Sequence, residues 1–203
     1  MDQSGSTGGQ GAPTGPTSGW SAPPPPPVQP GPTGLVYGDF TTRVIALIID
    51  GIIIAIANSI VQFVLGIFGL HVFSVDAVGL QFGYNPIVGI LFGVISLAIS
   101  AGYFIYLWTM RRATFGMQVM KLQVGDAGTG VTLTQDQAIK RWAALFGPQA
   151  LALGIYAFPL LGFLVLIAAL GWAIYLAYTT NLSPTKQGWH DVFAHTQVVK
   201  VAA

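Results

Sequence analysis

Two stretches of the chain stay apolar for long enough to cross a bilayer. Residues 43–65 (RVIALIIDGIIIAIANSIVQFVL) and 86–109 each exceed the roughly 20 apolar residues that the hydrocarbon core requires. A third apolar region, 142–179, is interrupted by Pro148 and Pro159. It reads either as one long tilted helix or as a hairpin of a short span, 142–157, and a normal span, 159–179. The hairpin is the preferred reading, turning near Pro159, because it returns Lys186, His190 and Lys200 to the side on which the other basic residues lie. The pattern thus predicts an all-α integral membrane protein, a small helical bundle of four membrane segments, or three if 142–179 crosses only once.

The polar stretches between these spans set the orientation. Residues 66–85 contain no Lys or Arg, whereas Arg111, Arg112, Lys121, Lys140 and Arg141 follow the second span. By the positive-inside rule the amino terminus and the basic loop are cytoplasmic, and the first loop faces outward. Within the basic loop, QVMKLQV, GDAGTG and VTL read as a short cytoplasmic β-hairpin, with Asp126, Gly125, Gly128 and Gly130 supplying the positive-φ turn positions. A phosphate-cradling loop is excluded, since neither the lysine and hydroxyl nor a strand-to-helix context follows the glycines. Thr134 and Gln137 then form a capping-box pattern ahead of an amphipathic helix that lies in the interface, with Lys140 and Arg141 at headgroup level.

Composition adds limits to this picture. The chain of 203 residues is 53% hydrophobic and only 7% charged, with a mean hydropathy of +0.65, which places it among multi-pass membrane proteins. Eight Lys and Arg nearly cancel seven Asp, so no global field draws nucleic acid. The absence of cysteine excludes disulfides and thiolate chemistry. The first 34 residues hold nine of the thirteen prolines and one charge, too little apolar surface for a core, so residues 1–36 are expected to form a disordered cytoplasmic tail ahead of a membrane domain at 37–203. Pro23 to Pro27 would form a polyproline II rod, either a ligand for a partner's aromatic groove or a solvated spacer. No basic region followed by a short apolar one opens the chain, so a cleaved signal peptide is not expected.

Asp50 is the first functional candidate. A charge in the middle of a membrane helix costs about 2.5–3.5 kcal/mol on insertion scales, so it calls for a partner or a task. Burial disfavours its ionised form, which would let it take up a proton unless a cation or an arginine stabilises the ion. Arg43 lies two helical turns earlier on nearly the same face, about 10 Å along the axis and out of direct reach. Asn58 and Gln62 follow on adjoining faces, and Ser96, Ser100 and Tyr103 share a face of the second span. These residues could line a polar path, although Gly89, Gly93, Ser96 and Ser100 equally form a small-residue stripe for close helix packing. Tyr103, Tyr106, Trp108, Trp142, Trp172, Tyr175 and Tyr178 suit interfacial belts and require no cofactor. His190, Asp191 and His195 lack the spacing of a metal site, and no nucleophilic constellation is present, so an enzyme is not expected.

Arg43 and Asp50 in TTRVIALIIDG, the segment RRATFGMQVMKLQV, Arg141 in AIKRWA, and His190 with Asp191 in GWHDVFAHTQVV together resemble the RDD family of membrane proteins, from Tyr37 to the carboxyl end. Two departures stand out: Met117 replaces a frequent lysine, and His195 replaces a glycine that commonly precedes the terminal threonine. The resemblance implies a bacterial plasma-membrane location, and cation/proton exchange has been attributed to some members. Two functions follow as expectations. One is a small transporter, without a cofactor, that exchanges small cations for protons at Asp50 and works as a homo-oligomer. The other is a non-catalytic scaffold in which Arg43 and Asp191 pair structurally, His190 orients the acid, and the tail recruits a partner. Neither calls for a metal or a cofactor.

The charge asymmetry predicts the labelling pattern of single cysteines in intact cells. Ser74→Cys reacts with an impermeant maleimide added outside, and Thr129→Cys does not. External labelling at position 129 would reverse the orientation.

Overall fold

The computed structural model describes residues 36–201 apart from 77, 80 and 155–158, with the backbone alone at 76, 149–154 and 159–161. The expected tail and its polyproline run therefore lie outside the described residues as far as 35, and the turn expected near Pro159 falls on 155–158.

Helix α1 (Phe40–Ile67) opens at Asp39, whose carboxylate accepts the Thr42 amide at 2.9 Å and so satisfies one of the free first-turn donors. Along its 28 residues only Ala46 and Asp50 are buried, while Ile48, Ile52, Ile56 and Ile60 are exposed. The helix therefore turns one short stretch toward the protein and the rest outward, as a helix in lipid does. Strands β1 (Phe73–Asp76) and β2 (Gln81–Tyr84) form an antiparallel hairpin in register Phe73 to Tyr84.

Helix α2 (Pro86–Arg111) is capped by Asn85, which accepts the Val88 amide at 3.2 Å, and carries Pro86 in its first turn, where no amide is missed. Its buried face runs from Val88, Gly89, Gly93 and Ser96 to Phe104, Leu107 and Trp108. The small-residue stripe is thus an inner face. Arg112 ends the helix at φ 58°, a left-handed stop that turns the chain sharply into α3 (Phe115–Val119), whose cap Thr114 accepts the Met117 amide at 3.2 Å.

Strand β3 (Leu122–Asp126) follows, then α4 (Gln135–Gly154), α5 (Pro159–Leu182), α6 (Trp189–Phe193) and β4 (Thr196–Lys200). The capping box forms: the Thr134 amide reaches Gln137 Oε1 at 3.0 Å, and the Gln137 amide reaches Thr134 Oγ1 at 3.2 Å. Among the described residues three helices are long and apolar enough to cross a membrane, α1, α2 and the Gly162–Leu182 part of α5. Helix α4 is not among them; it begins with Asp136, Lys140 and Arg141 and carries Pro148 inside it. It packs against α2 and α5.

The sheet at the polar end corrects the expected local hairpin. β3 pairs antiparallel with β4, Gln123 opposite Val199, and not with residues 131–133. Burial explains the choice. Leu122 and Val124 are almost fully buried, Val198 and Val199 of β4 are buried with them, and Val131 is 58% exposed. A distant strand that brings two buried valines outweighs the proximity of VTL. Of the three turn glycines only Gly130 has a positive φ, 71°. Gly125 instead lies in the strand, where a Cβ would sit 2.8 Å from the Gly130 carbonyl. The turn is organised by Asp126, whose Oδ1 accepts from the Gly128 amide and from the amide and hydroxyl of Thr129 at 2.8–3.0 Å. Its Oδ2 accepts from Gln137 Nε2 at 2.7 Å, which ties the turn to α4. These donors, Gln137 first, hold the Asp126 carboxyl down at about 2.

The long-range pairing predicts a cross-link. In oxidised membranes Gln123→Cys with Val199→Cys forms an intramolecular disulfide, since directly opposed strand positions meet the required Cα separation. Gln123→Cys with Val131→Cys does not, and the reverse result would restore the local hairpin.

Candidate functional site

Two buried carboxylates organise the polar end, and α1 contacts both. Asp191 stands in the first turn of α6 with no exposed surface. Its Oδ2 accepts from Arg43 Nη1 at 2.7 Å and its Oδ1 from Arg141 Nη1. The Gly188 amide, 3.3 Å from Oδ2, adds a donor at the start of the same helix. Arg141 Nη1 also donates to Thr196 Oγ1 at 2.6 Å, and its guanidinium lies over the Trp108 ring. Arg43 uses its remaining donors on the backbone, Nε to the Gly38 carbonyl at 3.0 Å and Nη2 to the Val198 carbonyl at 3.1 Å. One carboxylate thereby joins α1, α4, α6 and β4.

Burial alone would push the Asp191 carboxyl up. The guanidinium of Arg141, with His190 and Arg43, outweighs that and holds it well below the usual carboxylate range. His190 moves down as well, to about 4, because burial disfavours the imidazolium and Arg141 and Arg43 oppose it more than Asp191 can compensate. Its Nε2 lies 3.5 Å from Asp191 Oδ2. A neutral imidazole beside the acid fits the orienting role expected of it.

Asp50 is 2% exposed and does not meet Arg43. Its Oδ1 accepts from Tyr103 Oη at 2.7 Å and the Gly116 amide at 2.8 Å, and its Oδ2 from Thr114 Oγ1 at 2.5 Å. Tyr103 reaches it from within α2, and Thr114 and Gly116 from the bend where α2 turns into α3. Position 116 must be glycine for this, because a Cβ would run into the Ala46 carbonyl and come within 3.0 Å of Asp50 Cγ. Asp50 thus fastens α1 to the α2–α3 bend.

Of the two carboxylates Asp50 borders a partly enclosed cavity of about 210 Å³, to which Arg43, Arg141 and His190 also contribute, whereas Asp191 lies behind the arginines that hold it. Apolar side chains such as Leu47, Phe104, Phe146 and Leu176 form most of its wall.

Other expected residues fall elsewhere. Gln62 is exposed on α1, and Asn58 is half-buried with an unpartnered Oδ1; neither borders the cavity. Ser100 accepts from Trp142 Nε1 at 3.1 Å and so joins α2 to α4. Arg141 is a buried partner of Asp191 and not an interfacial cation, since its helix turns that face inward; Lys140 remains exposed and pairs with Asp136 at 2.6 Å. Trp108 and Tyr103 also leave the interfacial belt, the first buried against Arg141 and the second bound to Asp50. The sequence reading missed Thr114 and Gly116. A threonine followed by a glycine two residues later, directly after two arginines that end a span, was the available signal.

A small polytopic domain whose buried charges are gathered at one end and tied across the chain is the class that this fold and site define. The RDD family model matches residues 37–195, and the chain belongs to the RDD family. No curated protein and no solved structure matches it. The match stops one residue short of Thr196, so the strand that completes the Arg141 contacts lies just beyond it.

The His190 environment predicts an acid-sensitive step in stability. Above pH 6.5 neither the folded nor the unfolded state binds a proton at this imidazole, and it contributes no pH dependence. As pH falls from 6.5 toward 4 the unfolded chain takes up the proton and the folded one does not, so about 3 kcal/mol of stability is lost. The acid group of Asp191 adds its own loss only below its ordinary value near 3.8. The thermal midpoint in detergent should fall across this window, and His190→Gln should flatten the fall. An equal slope in the variant would remove the assignment.

Proposed function

We propose that the domain is a non-catalytic membrane scaffold whose intramembrane charges are structural, with Asp50 acting as a latch and not as an exchange site. The observation that carries this reading is the set of three neutral donors on Asp50. A cation site needs several oxygen acceptors converging on the ion. Here an amide and two hydroxyls point hydrogens at the carboxylate and stabilise its ionised form, so no bound ion is required to offset burial. The cluster around Asp191 is tied internally in the same way. Position along the chain supports the same assignment, since Arg43 and Asp191 join the first and last elements of the domain.

In this reading the polar end and the amino terminus face the cytoplasm of a bacterial plasma membrane, as the Lys and Arg excess favours. The later half of α4 supplies a fourth membrane segment. The β3–β4 pairing supports that count, because the excursion through α4 and α5 must return to the end from which it left. Exchange of cations for protons is the competing reading, favoured by the place of Asp50 on the cavity wall.

Asp50→Asn separates the two. It keeps the shape but places an amide before three donors, which should cost about 3 kcal/mol through hydrogen bonds lost to a charged acceptor. In proteoliposomes the wild type should show no cation-dependent pH change across the alkali ions. Proton movement driven by a cation, present in wild type and absent in an inserted Asp50→Asn protein, would replace the scaffold with an antiporter.

A further inference from the structure

We propose that the cavity between α1, α2, α4 and α5 binds a single-chain amphiphile with a carboxylate head, of the fatty-acid class. Three features converge on this ligand. The wall is apolar along most of its extent, and Ala46, Ala173 and Ala177 leave room where larger side chains would fill it. The polar end carries a surplus of positive charge, because Arg43 and Arg141 share the single carboxylate of Asp191. Asp50 keeps its own negative charge on three neutral donors but stands two helical turns along α1 from Arg43, so it does not cancel that surplus locally; this step rests on the latch reading.

The third feature is a set of unused donors. Arg141 Nε and Trp108 Nε1 are buried without a hydrogen-bond partner, and both residues border the cavity. A buried donor left unpaired is costly, so two such donors on residues beside one void call for an acceptor. A carboxylate offers two acceptor oxygens and the charge that the guanidiniums leave uncompensated. An alkyl chain matches the remaining wall. Helices α1 and α5 both border the void and touch only sparsely, which leaves a seam through which a chain from the bilayer can enter.

The test is equilibrium binding of radiolabelled dodecanoate to the purified full-length protein in an uncharged detergent, with unlabelled competitors. Saturable binding of one molecule per chain is expected. Dodecanoate should displace the label at least about tenfold better than dodecanol, the difference that one charge-assisted contact supplies. Ala177→Phe and Ala173→Phe fill the cavity without touching the charged residues and should each abolish binding, while Ala168→Phe, which does not border the cavity, should leave it intact. Absence of saturable binding, equal displacement by the alcohol, better displacement by dodecylammonium, or wild-type binding in both filled variants would overturn the proposal. Displacement by phosphatidylglycerol as effective as by dodecanoate would assign the site to a phospholipid head and overturn the single-chain assignment. Cation-driven flux together with this binding would remove the scaffold reading and leave the site.

Discussion

The fold depends on a carboxylate with no exposed surface placed between two guanidiniums. Asp191 cannot be stable there alone, since removing one ion from water costs several kcal/mol, and a buried acid without partners would take up a proton instead. Two arginines from distant parts of the chain must arrive together for the charge to be tolerated. Because Arg43 opens the first membrane helix and Arg141 lies within α4, satisfying that acid fixes how α1, α4 and the carboxyl-terminal strand meet. Pairs of this kind add little net stability compared with apolar packing, but loss of one partner leaves an uncompensated charge. Their effect is to select one arrangement of helices whose lipid-facing surfaces are otherwise interchangeable.

Asp50 repeats the device with different chemistry. Its partners are neutral, and one is a backbone amide at the start of α3, where free donors are available to an anion. The contact requires glycine at 116 because the backbone of α1 and the first turn of α3 approach without room for a side chain. Two fastenings two turns apart on α1 therefore attach its first third to the polar end. The rest of the helix shows mostly apolar, exposed residues and is left to lipid.

Much of this was legible in the sequence because hydropathy and charge report solvent directly. The first two spans, the capping box at Thr134 and the distinct character of Arg43, Asp50, Arg141 and Asp191 follow from local composition. The partners of Asp50 did not, since a hydroxyl and a backbone amide carry no charge signal; Thr114 and Gly116 look like ordinary turn residues. The pairing of β3 with β4 was hidden for a different reason. Local rules favour the nearest extended segment, and the deciding quantity was the burial of Val198 and Val199, which is a property of the assembled domain. Arg141 was placed at the interface because helix periodicity does not say which neighbour covers a face.

His195 shows how a departure from a family pattern can be understood physically. The resemblance leads one to expect a glycine at that position, and the backbone here adopts φ 52°, in the left-handed region that glycine enters without cost. The histidine tolerates the same conformation because its carbonyl is held from both sides, by the Ala127 amide at 2.9 Å and Gln137 Nε2 at 3.3 Å. Those bonds join β4 to the Asp126 turn and to α4. The strained residue is therefore part of the route by which Thr196 reaches Arg141, and the conformation, rather than the side chain, is what the position must supply.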